Sequence, residues 1–261
     1  MKPATQAAWL DLMKVSLSAE GYTRVMAQFN ADEVVFKTEG QAGFGIDYFY
    51  VALIGTPAAS GPWMSQFGGH HVTVNVTLMD GHVVSATPSY MGSQPLTYKD
   101  GSGTTVRPLG DVEDEGFALV GSLDATQAKV AVVSATPIDV VLGPGQDGKT
   151  LPPEGIAGSK LTTIQKAALL KLIGHYVGLP NAEDAASGLA AAKANLDRTY
   201  FAWFGRTTPG TAAYLRVTGP TVLIEYAPQG DRPGEAVVGA PTHAHGIYCD
   251  PTNEYGAKYA K

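Results

Sequence analysis

Four of the six histidines in this 261-residue chain fall in two tight groups, Gly68-Gly69-His70-His71 and His243-Ala244-His245, about 170 residues apart. Both groups lie in β-patterned stretches, where successive side chains point to opposite faces. On that alternation His243 and His245 share a face while His70 and His71 point apart, so three imidazoles can converge on one ion. Neutral imidazole suits several metals, and the pattern predicts one transition-metal ion, copper, zinc or iron, without choosing among them. Two imidazoles on one strand face are costly to bury unless something binds them, which favours ligation by His243 and His245. The third nitrogen comes from His71, which alternates with the polar Thr73, Asn75 and Thr77, or from His70, for which a hydrogen-bonded core histidine is the equal alternative. Asn75 would then support the His71 ring from behind.

Glu225 interrupts the apolar run Val222-Leu223-Ile224-Glu225-Tyr226, where an unpaired charge is expensive, so it must meet a metal, a histidine or Arg216. Three histidines with Glu225 make a closed mononuclear centre; three histidines alone leave a position for water or substrate. The other candidate catalytic residue is Tyr90. A two-residue turn at Asp80-Gly81 pairs Met79 with His82, and counting back sets His71 opposite Tyr90. Tyr248, Tyr255 and Trp63 are further aromatics that could line a cleft. Cys249 is expected on the face opposite His243 and His245, as a small buried residue. Asp250, Asn253 and Glu254 read as a turn, His82 as a surface residue, and His175 as a cation at a helix C-terminus.

The elements that must hold these residues are legible from periodicity. Two helices fill the first 30 residues, with the stripe Trp9, Leu10, Met13, Leu17 and a second run from Ser18 to Phe29. A strand spans 47–54, a long loop 57–69, a hairpin 71–88 and a surface loop 98–108. Helices are expected at 112–120, 125–133 with Asp124 as N-cap, 163–177, and from Asn181 to about Tyr200. Strands return at 213–217, 221–226 and 243–248, with a polar loop through Asp231–Gly234. The fold class is therefore α+β, with hairpins from both ends of the chain joined in one mainly antiparallel sheet and helices at the N-terminus and in the middle. A single domain is expected, with possible lobes 1–142 and 160–261 about a Gly/Pro-rich connection.

Charged residues are 16% of the chain, the net charge is −6, and no lysine or arginine run occurs, which argues against nucleic acid or anionic membrane as partner. No apolar run approaches a membrane span. The single Cys249 excludes an internal disulfide. Gly-x-Ser-x-Gly, phosphate-loop and His-Glu-x-x-His motifs are all missing, and Gly40-Gln-Ala-Gly-Phe-Gly45 is too loose for a dinucleotide fingerprint.

The run Gln66-Phe67-Gly68-Gly69-His70-His71 with Asn75, then Pro88, Gly92, Pro95, Trp203 and Gly205, resembles the domain-of-unknown-function family DUF3500. So do Arg216 to Gly219-Pro220 with Ile224-Glu225-Tyr226, and His243-Ala-His245 followed by Asp250-Pro-Thr-Asn-Glu-Tyr-Gly256. The resemblance covers nearly the whole chain; Glu254 stands where the family pattern has Asp. It implies a secreted or periplasmic protein, whereas the chain as written reads as cytoplasmic, and it implies no particular reaction. The expected function is a mononuclear metal-dependent enzyme acting on a small-molecule or polymeric extracellular substrate. Redox chemistry of an oxidase or oxygenase kind is favoured, because no second carboxylate is placed as a general base. The alternatives are a zinc-dependent hydrolase, a non-enzymatic metal- or ligand-binding protein, and histidines that act without metal.

Overall fold

The structure, a computed structural model, describes residues 3–230 and 240–259; the polar loop expected at Asp231–Gly234 lies outside them. Helices α1 (Pro3–Ser16) and α2 (Ala19–Glu39) open the fold. The Ser18 side chain accepts from Gly21 N and caps α2, and Gly40 stops it with φ 65°. Next come β1 (Tyr50–Ile54), β2 (Pro62–Gly68), β3 (Val72–Met79), β4 (His82–Ser85), β5 (Ser89–Met91) and a small hairpin, β6 (Tyr98–Lys99) with β7 (Thr105–Val106). The middle holds α3 (Gly110–Gly121), α4 (Ala125–Ala131), β8 (Val132–Ser134), β9 (Ile156–Ala157), α5 (Thr163–Val177) and α6 (Ala182–Ala194). The chain returns to strands in β10 (Tyr200–Gly205), β11 (Ala213–Thr218), β12 (Leu223–Gln229) and β13 (His243–Cys249).

One 11-stranded sheet gathers both ends of the chain, in the order β1-β2-β3-β5-β13-β12-β11-β10-β8, with β4 on β3 and β9 on β10. All its pairings are antiparallel except β10 with β8. The fold is thus α+β as expected, and β13 meets β5 at the sheet's centre. One face carries Tyr226, Leu215, Trp203 and Phe201, packed under α3 and α5; Phe117 meets Trp203 edge-on at 4.8 Å between centroids. The opposite face holds a smaller apolar cluster of Leu142, Leu223, Ile247 and Cys249. The Gly/Pro-rich stretch after Asp139 crosses this second face.

Three local expectations are corrected. Residues 62–68 form β2 rather than part of a loop, because Ser65 and Phe67 alternate inward between β1 and β3 and Gly68 does not end the pairing. The helix expected to reach Tyr200 stops at Ala194, a short 3-10 turn follows at Leu196–Arg198, and the aromatic-rich run from Tyr200 onward forms β10. The 98–108 loop contains the β6–β7 hairpin. Elsewhere the capping chemistry holds: Asp124 and Gln127 form a capping box at α4, as Thr162 and Gln165 do at α5.

Candidate functional site

The two histidine groups meet across three adjacent strands. Asp80 and Gly81, with φ 53° and 84°, make the expected tight turn and pair Met79 with His82. The register then slips by two: a bulge intervenes after Thr77, Pro88 interrupts the pairing, and Tyr90 lies opposite Thr73 rather than His71. A two-residue slip keeps the same face toward the cluster, and the Tyr90 ring lies 5.7 Å from that of His245. Opposite His71 stands Gly92, whose N–H donates to His71 O at 2.6 Å. The Ser93–Ala244 bridge sets Gly92 level with His245 on its other side.

Gly92 is thus the gap over which His71 and His245 face each other. A Cβ there would lie 2.8 Å from Ala244 O and 3.1 Å from His71 Cδ2. Gly92→Val is expected to cost about 1–3 kcal/mol by overpacking and to push the two imidazoles apart. Urea denaturation checks the cost, and an unchanged midpoint would contradict it.

Ring centroids are 4.9 Å apart for His243 and His245, 5.7 Å for His71 and His245, and 6.3 Å for His71 and His243. Imidazoles sharing one ion at ~2.0–2.1 Å per nitrogen place their centroids roughly 5 Å apart, so the cluster is near that spacing. His70 does not point away as simple alternation predicts. The chain bends at residues 70–71, before β3 begins, and the His70 ring meets His71 edge-on at 4.4 Å while stacking on Phe44 at 4.2 Å. All four imidazoles line one open cavity of about 780 Å³, walled also by Gln94 and Leu96.

Two carboxylates that the sequence reading missed stand behind these rings. His71 Nδ1 lies 3.1 Å from Asp32 Oδ1, both residues buried, and His245 Nδ1 lies 2.9 Å from Asp139 Oδ1. The two pairs differ in charge. Burial pushes the Asp32 carboxyl up to about 7 and, with the charge of His245, pushes the His71 imidazole down to about 3. Burial also opposes ionisation of Asp139, but the hydrogen bond and charge of His245 outweigh it and hold that carboxyl below its usual range. Asp32 sits on the buried stripe of α2 with Val25, Gln28 and Val35, and a charge in such a stripe was the available signal. Asp139 interrupts the apolar run Pro137 to Leu142 in the same way.

The sign of the Asp32–His71 pair gives a test. At pH 5 an unfolded chain holds one proton on imidazole, with reference values of 6.5 and 3.8, and the folded pair holds one on the carboxyl instead. Both states bind the same number of protons, so the pair adds little pH slope to stability between about pH 4 and 6.5; stability is lost as pH falls from there toward 3. In metal-free protein the His71 ring nitrogens are expected to show the neutral NMR pattern at pH 5. A protonated His71 at that pH would contradict the assignment.

Arg216 stands directly opposite Glu225 across β11 and β12, but its guanidinium pairs with Glu154, and among the described contacts the Glu225 carboxylate reaches neither it nor a histidine. Its Oε1 accepts from Val141 N at 2.7 Å and Tyr214 Oη at 2.6 Å, and its Oε2 from Leu142 N at 2.8 Å. It therefore anchors the strap that carries Asp139. Gln229, two pleat repeats along β12 on the same face, donates to Asp139 Oδ1 at 2.8 Å. Asn75, expected behind His71, instead donates to Pro88 O. Cys249 is on the same face as His243 and His245, four residues from the latter, and packs with Ile247. Trp63 donates to Ala58 O away from the cluster, and Tyr248 packs near Tyr176 on the other face. His82 is exposed and contacts Asp184.

Among the described residues, the set of three ligand atoms lying within 4.8 Å of one another is Glu20, Asp111 and His175. Arg24 already occupies it: its guanidinium donates to Glu20 at 2.8 Å and Asp111 at 2.5 Å and lies 3.0 Å from His175 Nδ1. That cluster is a buried arginine with its counter-charges. The imidazole nitrogens of the larger cluster would have to close up, by ring rotation, to share an ion.

The family model described as protein of unknown function (DUF3500) matches residues 1–257. The chain belongs to the DUF3500 family. No curated protein and no solved structure matches this DUF3500 chain. No helix among its described residues is long and apolar enough to cross a membrane.

Proposed function

We propose that this DUF3500 protein is a mononuclear metal-dependent enzyme whose ion, copper, zinc or iron, is held by His71, His243 and His245, with His70 at its edge. The observation that carries this reading is the pair of carboxylates on the Nδ1 side of His71 and His245. A metal-binding imidazole characteristically gives its other nitrogen to a carboxylate, which fixes the ring and frees Nε2 for the ion. A bound ion would supply either a redox couple or Lewis acidity.

The chain's own groups favour the redox reading over a zinc hydrolase. Asp32 and Asp139 are tied to imidazoles and Glu225 to the strap, so none of the three is free to take a proton from water; the other carboxylate on the cavity wall among the described residues, Glu39, is solvent-exposed at the end of α2. Tyr90 beside His245 walls the site with an aromatic ring. The protein is proposed to be exported, acting on a small-molecule or polymeric substrate.

The second reading, His71–Asp32 and His245–Asp139 as metal-free acid–base pairs, is favoured by the spread of the nitrogens noted above. Elemental analysis of untagged protein, followed by titration with Cu(II), Zn(II) and Fe(II), separates the two. One ion per chain is expected, and protein that neither retains nor takes up stoichiometric metal overturns the metal reading.

A further inference from the structure

A cavity of about 490 Å³ opens on the helix face of the sheet, between α6, the 82–87 segment that begins with β4, and the C-terminal stretch Glu254–Tyr259. It shares no lining residue with the histidine cavity. The space exists because α6 faces it with Ala185, Gly188 and Ala191 rather than with larger side chains.

Tyr248, one of the aromatics expected to line a cleft, lies at its base. The side chain alternates with Ile247 and Cys249 along β13 and so points away from the face of His243 and His245. Tyr248 is 7% exposed, and its Oη has no hydrogen-bond partner among the described residues; unlike the sealed hydroxyls of Tyr176 and Tyr226, it keeps accessible surface. A buried hydroxyl left unpaired is costly, and here the cavity is the side from which a partner can come. Burial, and then Asp250 and Cys249, raise this phenol above its ordinary value, so at neutral pH it is an O–H group that both donates and accepts.

The rest of the lining fits a partner of the same kind. The wall hydroxyls of Thr221 and Ser187 also lack a partner among the described residues, whereas those of Ser85 and Thr87 meet each other. The charged groups carry both signs and are largely engaged in turns. Asp184 accepts from Val83 N at 2.7 Å, Asp250 Oδ1 from Thr252 N at 2.9 Å, and Lys258 Nζ donates to Thr252 Oγ1 at 3.0 Å. Unpaired hydroxyls that donate and accept are matched by a ligand rich in hydroxyls, without net charge. Tyr259, 37% exposed at the lip, adds an aromatic face for the C–H side of a sugar ring.

We infer that this cavity binds a neutral saccharide of about one or two rings, with Tyr248 Oη as the buried anchor. The volume falls within the ~300–1,000 Å³ of small-molecule sites. Because Tyr248 and the histidines occupy opposite faces of the sheet, the site holds the protein on a carbohydrate and does not feed the cluster. It stands whether or not the cluster binds metal.

Glucose, galactose, mannose, xylose, maltose, cellobiose and lactose are the neutral probes, read by saturation-transfer NMR and calorimetry, with glucuronate and glucosamine as charged counterparts of glucose. At least one neutral probe is expected to bind with a Kd of about 1 mM or tighter. Tyr248→Phe is expected to weaken it about three- to tenfold, the factor for one hydrogen bond, with no fall in the urea midpoint, since this hydroxyl bonds to nothing in the protein. Ser187→Trp, at an exposed position on the wall, is expected to fill the cavity and abolish binding. No binding by any neutral probe, binding unchanged in both variants, or glucuronate or glucosamine binding about tenfold more tightly than glucose overturns the inference. The His243→Ala/His245→Ala protein is expected to keep saccharide binding, so failure of this site and failure of the metal site give different results.

Discussion

Replacing His243 and His245 together with alanine is expected to abolish stoichiometric metal binding while leaving the chain folded. Loss of one supporting residue behind a ligand typically costs about 10–100-fold in metal affinity, so removing two direct ligands should exceed about 10³-fold. Folding survives because the substitution strands no carboxylate: Asp139 keeps the Gln229 amide on the same oxygen that met His245. The neighbouring strand pairing of Ala244 and Gly246 runs through the backbone and is untouched. Circular dichroism and urea denaturation are to be run beside the metal titration. A folded double variant that still takes up one ion per chain with wild-type affinity would remove both histidines from the metal site and leave the pairing of His245 with Asp139 to be explained by acid–base work alone.

That His243 and His245 would share a face was readable from the sequence because strand periodicity is a local property that β12 and β5 on either side enforce. The pairing of His71 was not readable to the residue. A hairpin count assumes an unbroken ladder, and one bulge together with Pro88 moved its partner from Tyr90 to Gly92. The role of Gly92 follows from that slip, since no sequence pattern distinguishes a glycine flanked by two imidazoles from a glycine in a turn. His70 was misplaced for a related reason: alternation stops where the strand stops, and residues 70–71 precede β3. Asp32 and Asp139 were missed because each meets its histidine over 39 and 106 residues of chain. An aspartate within an apolar stripe announces that it needs a partner, but not which one.

Glu225 is where the sequence identified a residue of consequence and misassigned its contact, and its substitution should be the most damaging to stability. Its two oxygens satisfy Val141 N, Leu142 N and Tyr214 Oη, so Glu225→Leu leaves two donors of buried residues, Leu142 N and Tyr214 Oη, and one of the exposed Val141 without their acceptor. Each unsatisfied donor costs about 1–3 kcal/mol, and partial relaxation toward water brings the expected total to about 3–5 kcal/mol. The conservative Glu225→Gln keeps the shape and one acceptor oxygen but sets an amide N–H₂ against donors, for an expected loss of about 1–3 kcal/mol. The second consequence separates a positioning role from a ligand role. Asp139 lies two residues before Val141 on the strap, and a loosened strap lets it drift from His245. Glu225→Gln is therefore expected to weaken metal binding about 10–100-fold, the range for disturbing a carboxylate behind a ligand, while the ion still binds one per chain through imidazole nitrogen alone. If Glu225 were a ligand, the bound ion's coordination, read by X-ray absorption or electron paramagnetic resonance, would change between wild type and Glu225→Gln. If the strap argument holds, the coordination stays the same, and Asp139→Asn reproduces the weakened affinity without the stability loss. Denaturation midpoints of Glu225→Leu within about 1 kcal/mol of wild type would mean that the three donors find other acceptors and that the strap does not depend on this carboxylate.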